Sequence, residues 1–276
     1  MATQEFTAGG MEPQIGGHAP ARQPYSGMEP QLGGAYRVPE LRTMLNSPFA
    51  DDRLKAVRLL ASIRHPTAVD ALIEALDNPD LRVQRRAAEV LAVLDDRRAV
   101  PHLLPLLLRG DWMLRSSAIW ALGLLGDWRT VPPLLDMLSS RDRRLRLVAA
   151  DALGTIGHHS AIPGLAALLS DPSPDVRHTA VRALGHIAHP DAAAALAPAL
   201  NDPDRWVRYT AAQILAVRPD LRALPALVKA LDDPYLLVCI EAQRALQALG
   251  TPAALQAINE WEARVRAGKE GQTGGG

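Results

Sequence analysis

Alanine recurs at every thirty-first position through most of this chain: Ala56, Ala87, Ala118, Ala149, Ala180, Ala211 and Ala242. Leucine keeps a second register without a break, through Leu60, Leu91, Leu122, Leu153, Leu184, Leu215 and Leu246. Two further leucine series start at Leu41 and Leu45 and hold the same spacing to Leu227 and Leu231. They end at Ile258 and Glu262. A single globular core has no use for identical residues at one fixed spacing. A stack of equivalent units does, because each unit buries the same face against the next.

Within a unit the apolar spacing is helical. Val176, Ala180, Leu184 and Ile187 fall on one stripe of a helix, and Ile162, Leu165, Leu168 and Leu169 form a shorter stripe before it. Each unit is therefore read as a hairpin of a short first helix and a longer second helix. The turn between them carries Asn78-Pro79, Asp171-Pro172, Asp202-Pro203 or Asp233-Pro234. The acidic residue there is expected to cap the second helix, with proline in its first turn. Pro39, Pro101, Pro132, Pro163 and Pro225 open first helices, and Gly126, Gly157 and Gly250 are expected to close second helices in the left-handed conformation.

The segments Asp142 to Gly154 and Pro172 to Gly185 carry a Val/Leu-Arg pair, then Ala, then Ala-Leu-Gly. This pattern resembles HEAT repeats, in particular the short variant of the PBS-lyase HEAT-like family, over about residues 37 to 266. The expected fold is all-α: a right-handed α-solenoid of about seven 31-residue hairpins with a C-terminal capping helix. Asn259 and Glu262 give that last helix a more polar outer face, as a cap requires. The resemblance also implies that second helices line a concave surface. It further implies a ladder in which each arginine pairs with an aspartate six residues earlier, Asp171 with Arg177 and Asp202 with Arg208. Other units depart from that pattern, with Ser140 before Arg146 and Asp233 before Cys239.

Residues 1–36 differ in kind. They are rich in Gly, Pro and Gln, lack an apolar run and are expected to be disordered. They contain Met-Glu-Pro-Gln-Ile-Gly-Gly at 11–17 and Met-Glu-Pro-Gln-Leu-Gly-Gly at 28–34, which reads either as low-complexity drift or as a tandem docking peptide. The solenoid is expected over 37–267 and a flexible end over 268–276. No signal peptide or membrane-spanning stretch is visible, so a cytoplasmic location is expected. The 30 basic and 30 acidic residues balance, which argues against nucleic acid as the main partner. The single cysteine, Cys239, excludes an internal disulfide and a cysteine-based zinc site.

Free of packing duty is the register Arg58, Glu89, Trp120, Asp151, Arg182, Gln213 and Arg244. A binding site is expected on the concave face, centred on Trp120 and flanked by Arg182, Trp206 and Tyr209, with Asp151, Leu124 and Arg144 nearby. Trp, Tyr and Arg are the common anchors of interfaces. The competing reading is that the tryptophans merely cover gaps between helices. Two arginine clusters, Arg82/Arg85/Arg86 and Arg141/Arg143/Arg144/Arg146, read as solvated faces rather than a nucleic-acid wall. His65, His158 and His189 share one turn register, which reads as repetition rather than metal binding. No phosphate loop, zinc-protease helix or nucleophile elbow is present. No cofactor and no metal are expected. The function expected is a non-enzymatic scaffold or adaptor for a protein or peptide. The alternatives are a bilin-lyase-like role on a phycobiliprotein-type substrate, implied by the resemblance alone, and nucleic-acid binding.

Overall fold

The computed structural model describes residues 37–273. The expected tail over 1–36, with its duplicated motif, lies outside the described residues. Helices α1 (Val38–Leu45) and α2 (Ala50–Ser62) form the first hairpin, and α3 (Pro66–Glu74) and α4 (Leu81–Val93) the second. They are followed by α5 (Val100–Leu103) with α6 (Trp112–Leu125), then α7 (Val131–Met137) with α8 (Arg143–Ile156). Next come α9 (Ile162–Ala167) with α10 (Pro174–His186), and α11 (Pro190–Ala195) with α12 (Arg205–Val217). The last hairpin is α13 (Leu224–Ala230) with α14 (Leu236–Leu249), and α15 (Pro252–Thr273) stands unpaired after it. The described chain is an all-α solenoid with no strand. Helix α15 passes the expected end near Ala267. A lone glycine such as Gly268 costs a helix about 1 kcal/mol but leaves its hydrogen bonds possible.

The register residues explain the stacking. All seven alanines and all seven leucines of the two unbroken series are fully buried. Each buried leucine contributes roughly 1.5–3 kcal/mol. Consecutive second helices pack directly, α4 on α6, α6 on α8 and α8 on α10. Glycine sets the closest approach. A Cβ at Gly154 would stand 2.7 Å from the Ala183 backbone, and one at Gly123 would stand 2.8 Å from that of Ala152. Gly126, Gly157 and Gly250 end α6, α8 and α14 with φ of +62°, +69° and +62°, a region that favours glycine.

The turns differ in detail from expectation. The Asp171 carboxylate accepts the Ser173 N–H at 2.9 Å, so it shapes the turn as an Asx motif and does not cap α10. Asp202 and Asp233 do the same for Asp204 and Tyr235. The caps lie two residues further on in several units: Asp80, Asp142 and Asp204 accept the N–H of Arg82, Arg144 and Trp206.

The arginine ladder is also corrected. Arg177 does not pair with the carboxylate of Asp171. It reaches Asp202, one unit ahead, with Nε and Nη2 at 2.7 and 2.8 Å, and donates from Nη1 to the Asp171 backbone carbonyl at 3.0 Å. Arg208 grips Asp233 at 2.6 and 2.9 Å and donates to the Asp202 carbonyl. Arg146 grips Asp171 at 2.7 and 3.0 Å. The six-residue spacing thus serves the backbone carbonyl, while the carboxylate comes from the next layer. Cys239 reaches no carboxylate; its Sγ contacts the backbone carbonyls of Asp233 at 3.1 Å and Tyr235 at 3.9 Å. It sits on α14, in the last hairpin among the described residues. Burial pushes the Cys239 thiol up, with Asp233 adding to the effect.

Candidate functional site

Helix α4 presents Arg86, Glu89, Val90 and Val93 along one stripe, and α6 presents Ser116, Ser117 and Trp120 beside it. Ala61 of α2, Leu94 after α4 and Val148 of α8 complete a groove of about 450 Å³. Its wall is mainly apolar and open to solvent: Val93 is 66% exposed and Trp120 40%. Its rim is polar. Glu89 accepts from Arg86 at 3.0 Å and from Ser117 at 3.3 Å, and Arg85 stands 3.9 Å from it.

The structure divides the seven expected site residues among three places. Trp120, Asp151 and Arg182 are exposed at one register on α6, α8 and α10. Leu124 is exposed one turn beyond Trp120 on α6. Arg182 lies close to His178, which is held below the ordinary imidazole range by burial first and by the Arg182 cation second. Trp206 and Tyr209 stand on α12, apart from the groove, because α8 and α10 lie between α6 and α12. They form a cluster of their own. Trp206 meets Tyr209 edge-on at 6.1 Å and Tyr235 at 5.6 Å, and Arg205 lies over both Trp206 and Tyr235. Arg144 is in a third place, over the ring of Trp112 at 3.9 Å.

Three features escaped the sequence reading. The pairing of Trp112 with Arg144 links second helices of adjacent units. Leu236, Leu237 and Ile240 stand exposed on α14, the helix packed against α12. The shared turn register of His65, His158 and His189 is a capping position, since each Nδ1 accepts an N–H two residues on. Asp96, Asp127 and Asp220 do the same work at that register, which was the available signal. Rings of Trp128, His158, His159 and His189 also lie side by side along these turns, with neighbouring centroids 4.4–5.7 Å apart. Among the described residues no group of three or more His, Cys, Asp or Glu side chains could hold a metal.

Both arginine clusters meet carboxylates. Arg82 pairs with Asp80, Arg86 with Glu89, Arg143 with Asp175 and Arg144 with Asp142. The hydrogen bond from Arg144 holds the Asp142 carboxyl below its ordinary range. No helix among the described residues is long and apolar enough to cross a membrane.

Stacked hairpins with an exposed second-helix face define a helical-repeat protein. The chain belongs to the HEAT-repeat family, whose model matches residues 38–123, 109–171, 162–247 and 198–263. It is similar to a chain in the complex of CpcE and CpcF of phycocyanin lyase from Nostoc sp. PCC7120. The identity is 25% over 87% of this chain and 99% of that one, with a TM-score of 0.50. It is also similar in fold to the YibA protein of E. coli, at 21% identity over 82% of this chain and 93% of that one, with a TM-score of 0.52. No curated protein matches the sequence.

Proposed function

We propose that this chain is a non-enzymatic scaffold or adaptor that binds a protein or peptide segment along the face built by its second helices. The groove beside Trp120 carries the reading. An apolar wall with a small polar rim on a rigid helical platform suits side chains that anchor a partner segment. Trp120 already spends part of its surface on the groove wall and offers the remainder, as interface anchors do. The Trp206 cluster supplies a second contact region on the same series of helices. The neutral balance of charge and the paired arginines favour protein over nucleic acid as the partner.

The test compares partner capture by the wild-type chain with capture by Trp120→Ala, with far-ultraviolet circular dichroism as the control for folding. Capture is expected to fall at least tenfold with helicity unchanged. Equal capture by both proteins would place the partner away from this groove.

A second reading rests on the similarity to the phycocyanin lyase chain, which belongs to a two-protein complex. In it, the present chain is one member of a pair acting on a phycobiliprotein-type substrate. Mixing the chain with a free bilin tests its own share of that role. A shifted visible spectrum or a covalent adduct supports the lyase-like role, and the absence of both removes direct bilin handling by this chain on its own.

A further inference from the structure

We propose that the groove beside Trp120 receives the chain's own Met-Glu-Pro-Gln-Ile/Leu-Gly-Gly segments, residues 11–17 and 28–34, docked in cis. The proposal rests on the reading of that groove as a binding surface and names the occupant it holds when no outside partner is present.

Position is the first argument. Ala61, Val93, Leu94 and Trp120 lie toward the C-terminal ends of α2, α4 and α6. Helices α1 and α2 form an antiparallel hairpin, so α1 begins at the edge where α2 ends. The chain preceding Arg37 therefore joins the solenoid at the groove's own edge. Reach is the second argument. Packed helices lie roughly 8–10 Å apart, which puts α4 and α6 roughly 10–20 Å from α2. Twenty-two residue steps separate Ile15 from Arg37 and five separate Leu32 from it. At about 3.5 Å per residue these spans extend to roughly 75 Å and roughly 18 Å. The first copy can reach any part of the groove and the second its near part.

Chemistry is the third argument. Each segment sets Met and Ile or Leu four residues apart, with a glutamate between them and no cation. The groove offers the exposed Val93 and Trp120 to the apolar pair, over a floor that includes the buried Val90. At its rim two cations, Arg85 and Arg86, face the single carboxylate of Glu89, which leaves positive charge for Glu12 or Glu29. Proline after the glutamate disfavours helix and biases that residue toward extended backbone, which lowers the ordering cost of lying in a groove. Tethering then supplies an effective concentration on the order of millimolar, so modest contacts suffice for occupancy. The consequence is regulatory: an outside partner must displace the segment.

The experiment uses the full chain with a photo-crosslinking side chain in place of Gln14 or of Gln31, illuminated at low concentration. Cross-links are expected within one chain, to α4 and α6, and are expected to fall at least fivefold when Val93→Asp is added. Val93 is exposed, so this change leaves the fold intact, as circular dichroism will verify. Cross-links to other faces, none at all, or links only between two chains would each overturn docking in cis. A second measurement follows a labelled Met-Glu-Pro-Gln-Ile-Gly-Gly peptide by fluorescence anisotropy. It is expected to bind at least tenfold more tightly to a full chain carrying Met11→Ser, Ile15→Ser, Met28→Ser and Leu32→Ser than to wild type. Equal binding to both overturns the proposal. Neither arm needs an outside partner. Loss of these signals with Trp120-dependent capture intact removes the cis occupant alone, and the reverse result removes the partner reading alone.

Discussion

Arg177 holds two layers at once. Its guanidinium grips the Asp202 carboxylate of the next unit and the Asp171 carbonyl of its own turn. The pair is nearly dry, with side chains 11% and 4% exposed. Removing the cation strands a buried carboxylate, so Arg177→Ala is expected to cost about 3–5 kcal/mol in urea unfolding. The exposed pair of Arg143 with Asp175 is the control, and Arg143→Ala is expected to cost at most about 1 kcal/mol. Comparable losses from both would mean that the ladder contributes no more than a surface ion pair. The arginine register was legible in the sequence, but its partner was not. A spacing of six residues along one chain says nothing about where a long side chain crosses to the next layer. The signal lay in the ends of the pattern. Arg146 follows Ser140 and Asp233 precedes Cys239, an offset that makes sense only if each arginine serves the following unit.

Between elements, the close approach of α8 and α10 depends on Gly154. A methyl group there would meet the Ala183 backbone at 2.7 Å, and a backbone cannot turn aside. On an open helix, Gly→Ala would stabilise by up to about 1 kcal/mol. At this seam Gly154→Ala must push two helices apart, and overpacking of this kind costs about 1–3 kcal/mol. Gly185→Ala meets only the side chain of Ile214 and is expected to cost less. A thermal melt of the two variants tests the ranking, and an equal or larger loss at Gly185 would refute it. At this scale the hairpins, their buried faces and the glycine stops could be read from periodicity. The candidate site could be read only in part. Register gives the face on which a residue lies, so Trp120, Asp151 and Arg182 share a row. Contact across the row also depends on layer number, and Trp206 and Tyr209 sit three second helices away from Trp120.

Among the described residues the ladder is interrupted at two neighbouring junctions. Arg146–Asp171, Arg177–Asp202 and Arg208–Asp233 tie the fourth to the seventh hairpin without a gap, and Arg53–Asp80 ties the first to the second. Between the second and third hairpins, Gln84 brings no cation. Arg115, between the third and fourth, has no ion pair among the described residues and makes its contacts with the Leu107 carbonyl and Met137. In a repeat stack, stability is the sum of unit terms and nearest-neighbour terms, so these two junctions are the weaker ones. The groove beside Trp120 lies across them, at the end of the stability range from which binding surfaces are drawn. Hydrogen exchange at neutral pH is therefore expected to protect α10 and α12 more than α4 and α6. Acid provides the internal control. Burial opposes ionisation of Asp171, but hydrogen bonds from Arg146 and the Ser173 N–H outweigh it and hold the carboxyl below its ordinary range. A carboxyl lowered on folding stabilises fully above about pH 4, and the gain is lost as pH falls through the folded value. The difference in protection factors between the two regions is thus expected to narrow between pH 4 and lower values. If it persists unchanged there, its source is apolar packing rather than the ladder, because packing of Leu and Ala does not titrate.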